Sequence, residues 1–260
     1  MGLKIAVLDD YADVARSYAD WPEGDSVTVF HDTLDDPAAL IARLAPFDVI
    51  CVMRERTPLP AAVINALPDL RLIVTTGARN LSIDVAAAEA RGITVCGTQS
   101  RGTTTAECVM ALMLALTRRI VPEANSAAAG GWQTGMGRDL AGLTLGIAGY
   151  GRIGRMVATL ARPFGVEVLA WSRSLTPEQA AAEGVGHAED LDALLAGSDI
   201  LSVHLILAEA TRWLFGAREF ALMRPDALFL NTSRGPIVQV APLLDALREG
   251  RLGGRRAGRA

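Results

Sequence analysis

The chain has 260 residues, of which 50% are hydrophobic and 21% are charged, which is enough apolar material for one or two packed domains. Its longest apolar run, Cys108 to Leu116, is far shorter than the roughly 18 residues of a membrane span, so we expect no membrane partner. The net charge of −4 is uneven, because residues 1–247 carry −8 and residues 248–260 carry +4. The acidic body argues against nucleic acid as the main partner.

The three cysteines are far apart and show no C-x-x-C spacing. Cys51, Cys96 and Cys108 each lie in an apolar segment, so we predict buried thiols, no disulfide and no metal site. Asp9 and Asp10 follow the first apolar run directly, which is unlike a secretory signal peptide. These features predict a cytoplasmic protein.

In the first hundred residues, short β-branched runs alternate with segments rich in alanine and leucine. Strands are predicted at residues 4–8, 27–30, 49–53, 70–75 and 93–96. Helices are predicted at residues 37–44, 60–67 and 83–91. This alternation is typical of a doubly wound parallel sheet.

A long helix is predicted next, with hydroxyl caps at Thr103–Thr105 and an apolar body at Ala106–Leu116. Thr176–Gln179 has the capping pattern of another helix start. Further strands are predicted at residues 144–148, 166–171, 200–205 and 227–232, and further helices at residues 157–160 and 240–249. The sequence therefore predicts two α/β halves joined near residues 97–103.

A glycine-rich turn, Gly149-Tyr150-Gly151-Arg152-Ile153-Gly154, lies between a predicted strand and a predicted helix. In that context G-x-G-x-x-G is typical of dinucleotide binding: the glycines allow a tight turn, close approach of a pyrophosphate and close helix packing. Gly149, Gly151, Arg152, Ile153 and Gly154 are therefore candidate cofactor-binding residues. A methyltransferase with a nucleoside cofactor and a purely structural turn are the alternatives.

The next strand ends at Trp171 and is followed by Ser172 and Arg173. A carboxylate at this position holds the adenosine ribose of NAD in dinucleotide-binding folds. Its absence, with an arginine that could pair with a 2′-phosphate, leaves NAD and NADP both open. A solvated arginine at a strand end is the alternative interpretation.

A second signature, Asn231-Thr232-Ser233-Arg234-Gly235-Pro236, follows another predicted strand. Open α/β sheets bind ligands at this edge, and an arginine there can grip a carboxylate through a fork of donors.

Together, L-x-G-x-T-L-G-I-x-G-x-G-x-I-G at Leu140–Gly154, then His204-Leu205, then Asn231–Gly235 resemble the NAD(P)-dependent D-isomer-specific 2-hydroxyacid dehydrogenases. The resemblance implies a flavodoxin-like substrate domain at residues 1–98 and a Rossmann domain at residues 99–260, with the active site in the cleft between them. It also implies NAD or NADP as cofactor, a small 2-keto or 2-hydroxy acid as substrate, and a homodimer formed through the region around residues 105–140.

The resemblance assigns roles residue by residue. Arg234 matches the catalytic arginine, Thr232 and Ser233 match positions near the nicotinamide, and His204 matches a strand end beside the cofactor. On the residues alone, an imidazole on an apolar strand is more often a half-buried structural group. The substrate-binding positions that the resemblance indicates are Arg54, Gly77, Ala78 and Arg79. With Arg56, these arginines imply an anionic small molecule without specifying which keto acid.

In the family, a histidine tuned by a glutamate moves the proton and lies downstream of the arginine motif. This chain has no histidine after His204. We therefore expect an incomplete Rossmann domain with an atypical Arg/Gly tail at residues 251–260, no return segment on the substrate domain, poor stability and impaired turnover. GC-rich codons for Arg255–Arg259 can be read in another frame as Gly-Ala-Leu-Asp-Val, so we expect a frameshift there. A catalytically inactive nicotinamide-nucleotide-binding protein, similar to the family's corepressors, is the alternative function.

Overall fold

The computed structural model describes residues 2–21, 23–99 and 101–253. The chain divides into two compact units, residues 1–101 and residues 102–260. The boundary predicted between residues 98 and 99 lies three residues before this division. Among the described residues, no helix is long and apolar enough to cross a bilayer.

Unit 1 contains a parallel five-stranded sheet with the strand order β2-β1-β3-β4-β5. Its elements are β1 (Lys4–Val7), α1 (Ala15–Tyr18), β2 (Ser26–Val29), α2 (Pro37–Leu44), β3 (Val49–Val52), α3 (Ala61–Asn65), β4 (Leu72–Thr75), α4 (Val85–Ala90) and β5 (Thr94–Gly97). This is the flavodoxin-like order, which confirms the fold predicted for the first half.

The core of unit 1 lies between the sheet and its helices. Ile50 and Ile73, from neighbouring central strands, are fully buried, as are Leu44 and Ile64 from the covering helices. Parallel strands that are covered on both faces consist of continuous apolar runs, which is why VICV and LIVT form β3 and β4.

Unit 2 contains a second parallel sheet with the order β10-β9-β6-β7-β8. Its elements are α5 (Thr103–Thr117), α6 (Ile120–Ala128), β6 (Thr144–Ala148), α7 (Arg152–Ala161), β7 (Glu167–Trp171), α8 (Pro177–Ala182), β8 (Gly186–His187), α9 (Leu191–Gly197), β9 (Ile200–Val203), α10 (Ala217–Leu222), β10 (Leu228–Asn231) and α11 (Val240–Arg248). In the order of this unit alone the strands run 5-4-1-2-3, which are five strands of a Rossmann sheet.

After α11 the chain returns to the outer edge of β10. Leu252 forms a parallel bridge with Ala227, and the Gly253 N–H donates to Ala227 O over 3.1 Å. This is the position of the sixth Rossmann strand. Residues 254–260 of the predicted Arg/Gly tail, with the proposed frameshift, lie outside the described residues.

Two sequence-based predictions need correction. The long helix α5 is not capped by a threonine hydroxyl, since Gly102 at φ 67° occupies the N-cap and no side chain bonds there. Cys96 and Cys108 are exposed rather than buried, because residues flanked by apolar neighbours can still face outward from a strand or helix. Cys51 is partly buried, and this burial raises the pKa of its thiol to about 11.

Candidate active site

The predicted cofactor-binding residues of unit 2 lie at the carboxyl ends of neighbouring strands. The glycine turn follows β6, His204 follows β9, Ser172 follows β7 and Thr232 follows β10. The chain moves from β6 to β7 and β8 on one side, then crosses to β9 on the other side of β6. Ligands bind open α/β sheets at this kind of reversal in strand order.

The three glycines of the turn have three different environments. Gly149 has φ 100°, and a Cβ there would lie 2.8 Å from the backbone carbon and oxygen of His204. A Cβ on Gly154 would lie 2.6 Å from Gly149 O and 3.0 Å from the Ile147 side chain. A Cβ on Gly151 would meet nothing within 4 Å. Gly149 and Gly154 therefore allow close packing, while Gly151 faces open space.

Helix α7 begins directly behind this open space. Arg152 and Ile153 are its first residues, and the first bond of the helix runs from the Arg155 N–H to Gly151 O over 3.0 Å. Backbone N–H groups that precede the first helical bond point out of the helix end, where the helix dipole favours an anion. The open space and these donors fit the pyrophosphate of a dinucleotide.

The loop after β10 is shaped by a residue that the sequence did not single out as a site residue. The Asn231 side chain accepts the Ser233 N–H at 3.0 Å and donates to Arg234 O at 2.9 Å. The Ser233 hydroxyl donates to Leu205 O at 2.6 Å, which fastens the loop to the segment after β9. Asn231 thus holds the backbone that carries the half-buried Arg234. An asparagine two residues before a backbone N–H is the local signal of such a turn.

Thr232, in the same loop, has a buried hydroxyl that has no hydrogen-bond partner among the described residues. Buried polar groups are nearly always bonded, so an orphaned hydroxyl at a ligand-binding edge fits a site that a bound group completes. Thr232 and Ser233, the predicted neighbours of the nicotinamide, lie in the same loop as Arg234.

His204 is held by two hydrogen bonds. Its backbone N–H donates to Ala148 O at 2.7 Å, and its imidazole Nε2 shares a hydrogen bond with the Ser202 hydroxyl at 2.9 Å. Burial lowers the pKa of His204 to about 4. The imidazole is therefore neutral at physiological pH and has no proton to donate readily, which suits a structural neighbour of the cofactor better than a general acid.

In unit 1, the predicted substrate-binding residues lie at the carboxyl ends of β3 and β4. Arg54 has φ 54°, and its N–H donates to the Thr76 hydroxyl at 3.1 Å while its carbonyl oxygen accepts from the Asn80 side chain. Its guanidinium lies across Gly77, whose φ of 94° is a backbone conformation that favours glycine. Arg54 and Gly77 are thus brought together.

Ala78 and Arg79 are exposed in the loop that follows Gly77. Within the described part of the chain, the Arg54 and Arg79 guanidinium groups have no hydrogen-bond acceptor or ion-pair partner. Two unpaired cations at adjoining strand ends fit an anionic ligand. Asn80, which fixes Arg54 from below, was not identified from the sequence.

A buried carboxylate supports the same edge of unit 1. Asp9 is 0% exposed and accepts the hydroxyls of Thr33 at 2.5 Å and Thr57 at 2.9 Å. Arg56 donates from Nη1 to Asp9 O at 2.8 Å and lies over the Tyr11 ring. Asp9 therefore ties together the segments after β1, β2 and β3.

Comparison with known proteins identifies the family. A profile described as "D-isomer specific 2-hydroxyacid dehydrogenase, NAD binding domain" matches residues 110–256. The chain is 35% identical to glycerate dehydrogenase from Methylorubrum extorquens over 227 residues. This aligned segment covers 84% of this chain and 69% of that protein. It is 36% identical to glyoxylate reductase from Thermococcus litoralis, with 72% of this chain and 59% of that protein covered.

Among solved structures, phosphoglycerate oxidoreductase from Vibrio cholerae superposes with a TM-score of 0.88 at 36% identity, covering 95% of this chain and 81% of that chain. The chain spans only 41% of D-3-phosphoglycerate dehydrogenase from Archaeoglobus fulgidus, to which it is 36% identical. The profile match covers more than half of the residues, and it includes the glycine turn and the Arg234 loop. The chain belongs to the D-isomer-specific 2-hydroxyacid dehydrogenase family, and its second unit is an NAD(P)-binding domain of that family.

Proposed function

We propose that the protein transfers hydride between NAD(P)H and a small 2-keto or 2-hydroxy acid. The proposal rests on one observation: the segment after β9 contacts both the glycine turn and the loop of Arg234. Gly149 packs on the backbone of His204, and the adjacent Leu205 accepts the Ser233 hydroxyl. One sheet edge therefore supports both a dinucleotide cradle and a fixed guanidinium.

The chain's own residues divide the work. The open space at Gly151 and the N–H groups of Arg152 and Ile153 would hold the pyrophosphate of a dinucleotide, whose nicotinamide would supply or accept the hydride. Arg234 binds the substrate carboxylate and polarises the 2-oxygen through its fork of donors. Within unit 1, the positive charges of Arg54 and Arg79 suit an anionic ligand.

The proton that accompanies hydride transfer favours a second candidate function. With a pKa of about 4, His204 does not serve as the acid. A protein that binds nicotinamide nucleotide without appreciable turnover is therefore the alternative to a dehydrogenase.

A binding titration followed by a turnover assay tests both candidates. NADH and NADPH are titrated against the 260-residue chain by tryptophan fluorescence, and keto-acid-dependent oxidation of the reduced cofactor is then measured with glyoxylate and hydroxypyruvate. Arg234→Lys should keep cofactor affinity and lower turnover by about 10²-fold, because lysine retains the charge without the fork. Arg248→Ala, at a side chain that is 74% exposed, is the control.

The outcomes separate the candidates. Turnover that Arg234→Lys lowers by about 10²-fold supports the dehydrogenase. Tight binding without turnover supports the alternative, and failure to bind either cofactor contradicts both.

We also propose a cytoplasmic homodimer formed through unit 2. Large apolar side chains are exposed along α5, α6 and the segment that follows, namely Leu112, Leu116, Ile120, Val121, Trp132 and Met136, with 41–87% of their surface accessible. An apolar patch of this kind is typical of a face that another protein covers. All three cysteines are free, which supports a reducing compartment. Light scattering should give twice the chain mass, and Ile120→Asp should give monomers.

A further inference from the structure

The segment after β7 differs from that of an NAD-specific domain. In NAD-binding Rossmann folds, a carboxylate at the end of the second strand accepts hydrogen bonds from the adenosine ribose. Here β7 ends at Trp171, and Ser172 follows it. No aspartate or glutamate occurs between Glu167, at the start of β7, and Glu178, in α8. The chain offers no acid at the position where NAD is normally held.

The residues that replace this acid form a defined turn. The Leu175 N–H donates to Ser172 O at 3.2 Å, and the Leu175 side chain is buried. Thr176 then begins α8 with a reciprocal capping box with Gln179. The turn is thus fixed at both ends, with Arg173 and Ser174 exposed at its tip.

The polar side chains of this turn have no partners within the described part of the chain. The Arg173 guanidinium and the Ser172 and Ser174 hydroxyls make no hydrogen bond or ion pair there. Other arginines of the same unit are engaged: Arg155 donates from Nε to both oxygens of Glu183 at 2.9 Å. A free guanidinium between two free hydroxyls is a donor set for a phosphate group.

The nearest acid along the chain does not neutralise this set. Hydrogen bonds from its own backbone N–H and from the Thr176 side chain lower the pKa of Glu178, so its carboxylate is already occupied at the start of α8. The Glu178 carboxylate is therefore bonded at the start of α8 and not to Arg173.

We propose that Ser172, Arg173 and Ser174 bind the 2′-phosphate of NADP(H), and that the protein prefers NADPH to NADH. The inference rests on the proposed dinucleotide-binding function and assigns its specificity. A 2′-phosphate forms charge-assisted hydrogen bonds with the guanidinium and the hydroxyls. NADH, which carries a ribose hydroxyl instead, finds no carboxylate to accept its hydrogen bond.

Equilibrium binding tests the proposal independently of turnover. Dissociation constants for NADPH and NADH are measured on the whole chain by quenching of tryptophan fluorescence, aided by Trp171 beside the turn, at low and constant ionic strength. NADPH should bind about 10- to 100-fold more tightly, the range expected for hydrogen bonds to a charged group. Arg173→Ala should weaken NADPH binding by a similar factor and change NADH binding by less than about twofold.

An introduced acid and a control complete the test. Ser172→Asp restores the missing acid, so it should strengthen NADH binding and weaken NADPH binding, and urea unfolding checks that the variant is folded. Arg248→Ala removes an exposed arginine elsewhere in unit 2 and should change neither constant.

The proposal and the function on which it rests fail in different ways. NADH binding as tightly as NADPH overturns the proposal and leaves dinucleotide binding intact, and so does an equal loss of both cofactors in Arg173→Ala. If neither cofactor binds to the folded chain, the proposed function itself is wrong.

Discussion

Alanine substitution of two neighbouring glycines should separate stability from cofactor binding. In Gly154→Ala, the new Cβ would lie 2.6 Å from Gly149 O and 3.0 Å from the Ile147 side chain. The first contact is with backbone, which cannot rotate away, so α7 must move from β6. Overpacking of this kind costs about 1–3 kcal/mol, and the better helix propensity of alanine returns about 1 kcal/mol. We expect a net loss of about 1 kcal/mol, reaching about 2 kcal/mol if α7 cannot adjust.

Gly151→Ala is the matched variant. Gly151 has φ −94°, which any residue adopts, and a Cβ there would touch nothing within 4 Å. The free energy of unfolding should therefore fall by less than about 1 kcal/mol, the scale of a changed N-cap. The methyl group does, however, occupy the space in which we place the pyrophosphate, so cofactor affinity should fall at least about tenfold.

Two measurements on each variant test this reasoning. Urea unfolding followed by tryptophan fluorescence gives stability, and three of the four tryptophans lie in unit 2. Cofactor titration gives affinity. The reasoning is refuted if Gly154→Ala unfolds at the wild-type midpoint, or if Gly151→Ala binds cofactor as tightly as the wild type.

Three further predictions concern polar side chains. Asp9→Ala should destabilise unit 1 by about 2–3 kcal/mol in urea unfolding, because the Thr33 and Thr57 hydroxyls lose their acceptor. Asp9→Asn should lose less, and equal losses would contradict this account. Burial lowers the pKa of His204 to about 4, so below about pH 6.5 the unfolded chain binds a proton that the native chain does not. The free energy of unfolding should therefore fall by up to about 3 kcal/mol as the pH drops towards 4. The substitution His204→Asn should flatten this pH dependence. Asn231→Ala should lower keto-acid turnover and leave cofactor dissociation constants unchanged, since the loop of Arg234, the proposed catalytic arginine, loses two bonds; weakened cofactor binding would argue against that role.

Strands and well-capped helices could be read from the sequence because their signals are local. All four residues of β9 are buried, as expected for a mostly apolar run that forms a parallel strand covered on both faces. Helix α2 begins at Pro37 with Asp36 capping the Ala39 N–H, which is the pattern that its sequence predicts.

Short surface helices gave no comparable signal. The long helix α5 ends at Thr117, close to the predicted end of its apolar body at Leu116, but α6 was not predicted, and Arg119 at φ 56° leads directly into it. No residue of α6 is buried, so its sequence lacks the apolar periodicity by which a helix is recognised. A residue other than glycine that adopts a positive φ, such as Arg119, likewise leaves no recognisable signal in the sequence. The helices α1, α9 and α10 were also not predicted from the sequence.

The candidate site shows the same division between local and long-range information. The roles of Gly149 and Gly154 follow from a strand before them and a helix after them, so spacing alone indicated them. The contacts of Asp9 with Thr33 and Thr57 join residues 24 and 48 positions apart, and no local pattern predicts which hydroxyls a buried carboxylate meets. Such contacts appear only once the strand order is known.

That strand order also explains why the proposed cofactor-binding turn and the loop of Arg234 share one support in unit 2. Strand β9 lies between β6 and β10, so the segment that follows it touches the ends of both neighbours. On one side, the His204 backbone occupies the space that a side chain on Gly149 would need. On the other side, Leu205 O accepts the Ser233 hydroxyl and fixes the loop of Arg234. Because two consecutive residues make both contacts, the distance between the glycine turn and the arginine loop is set by the sheet itself, and a shift in either is resisted by the other.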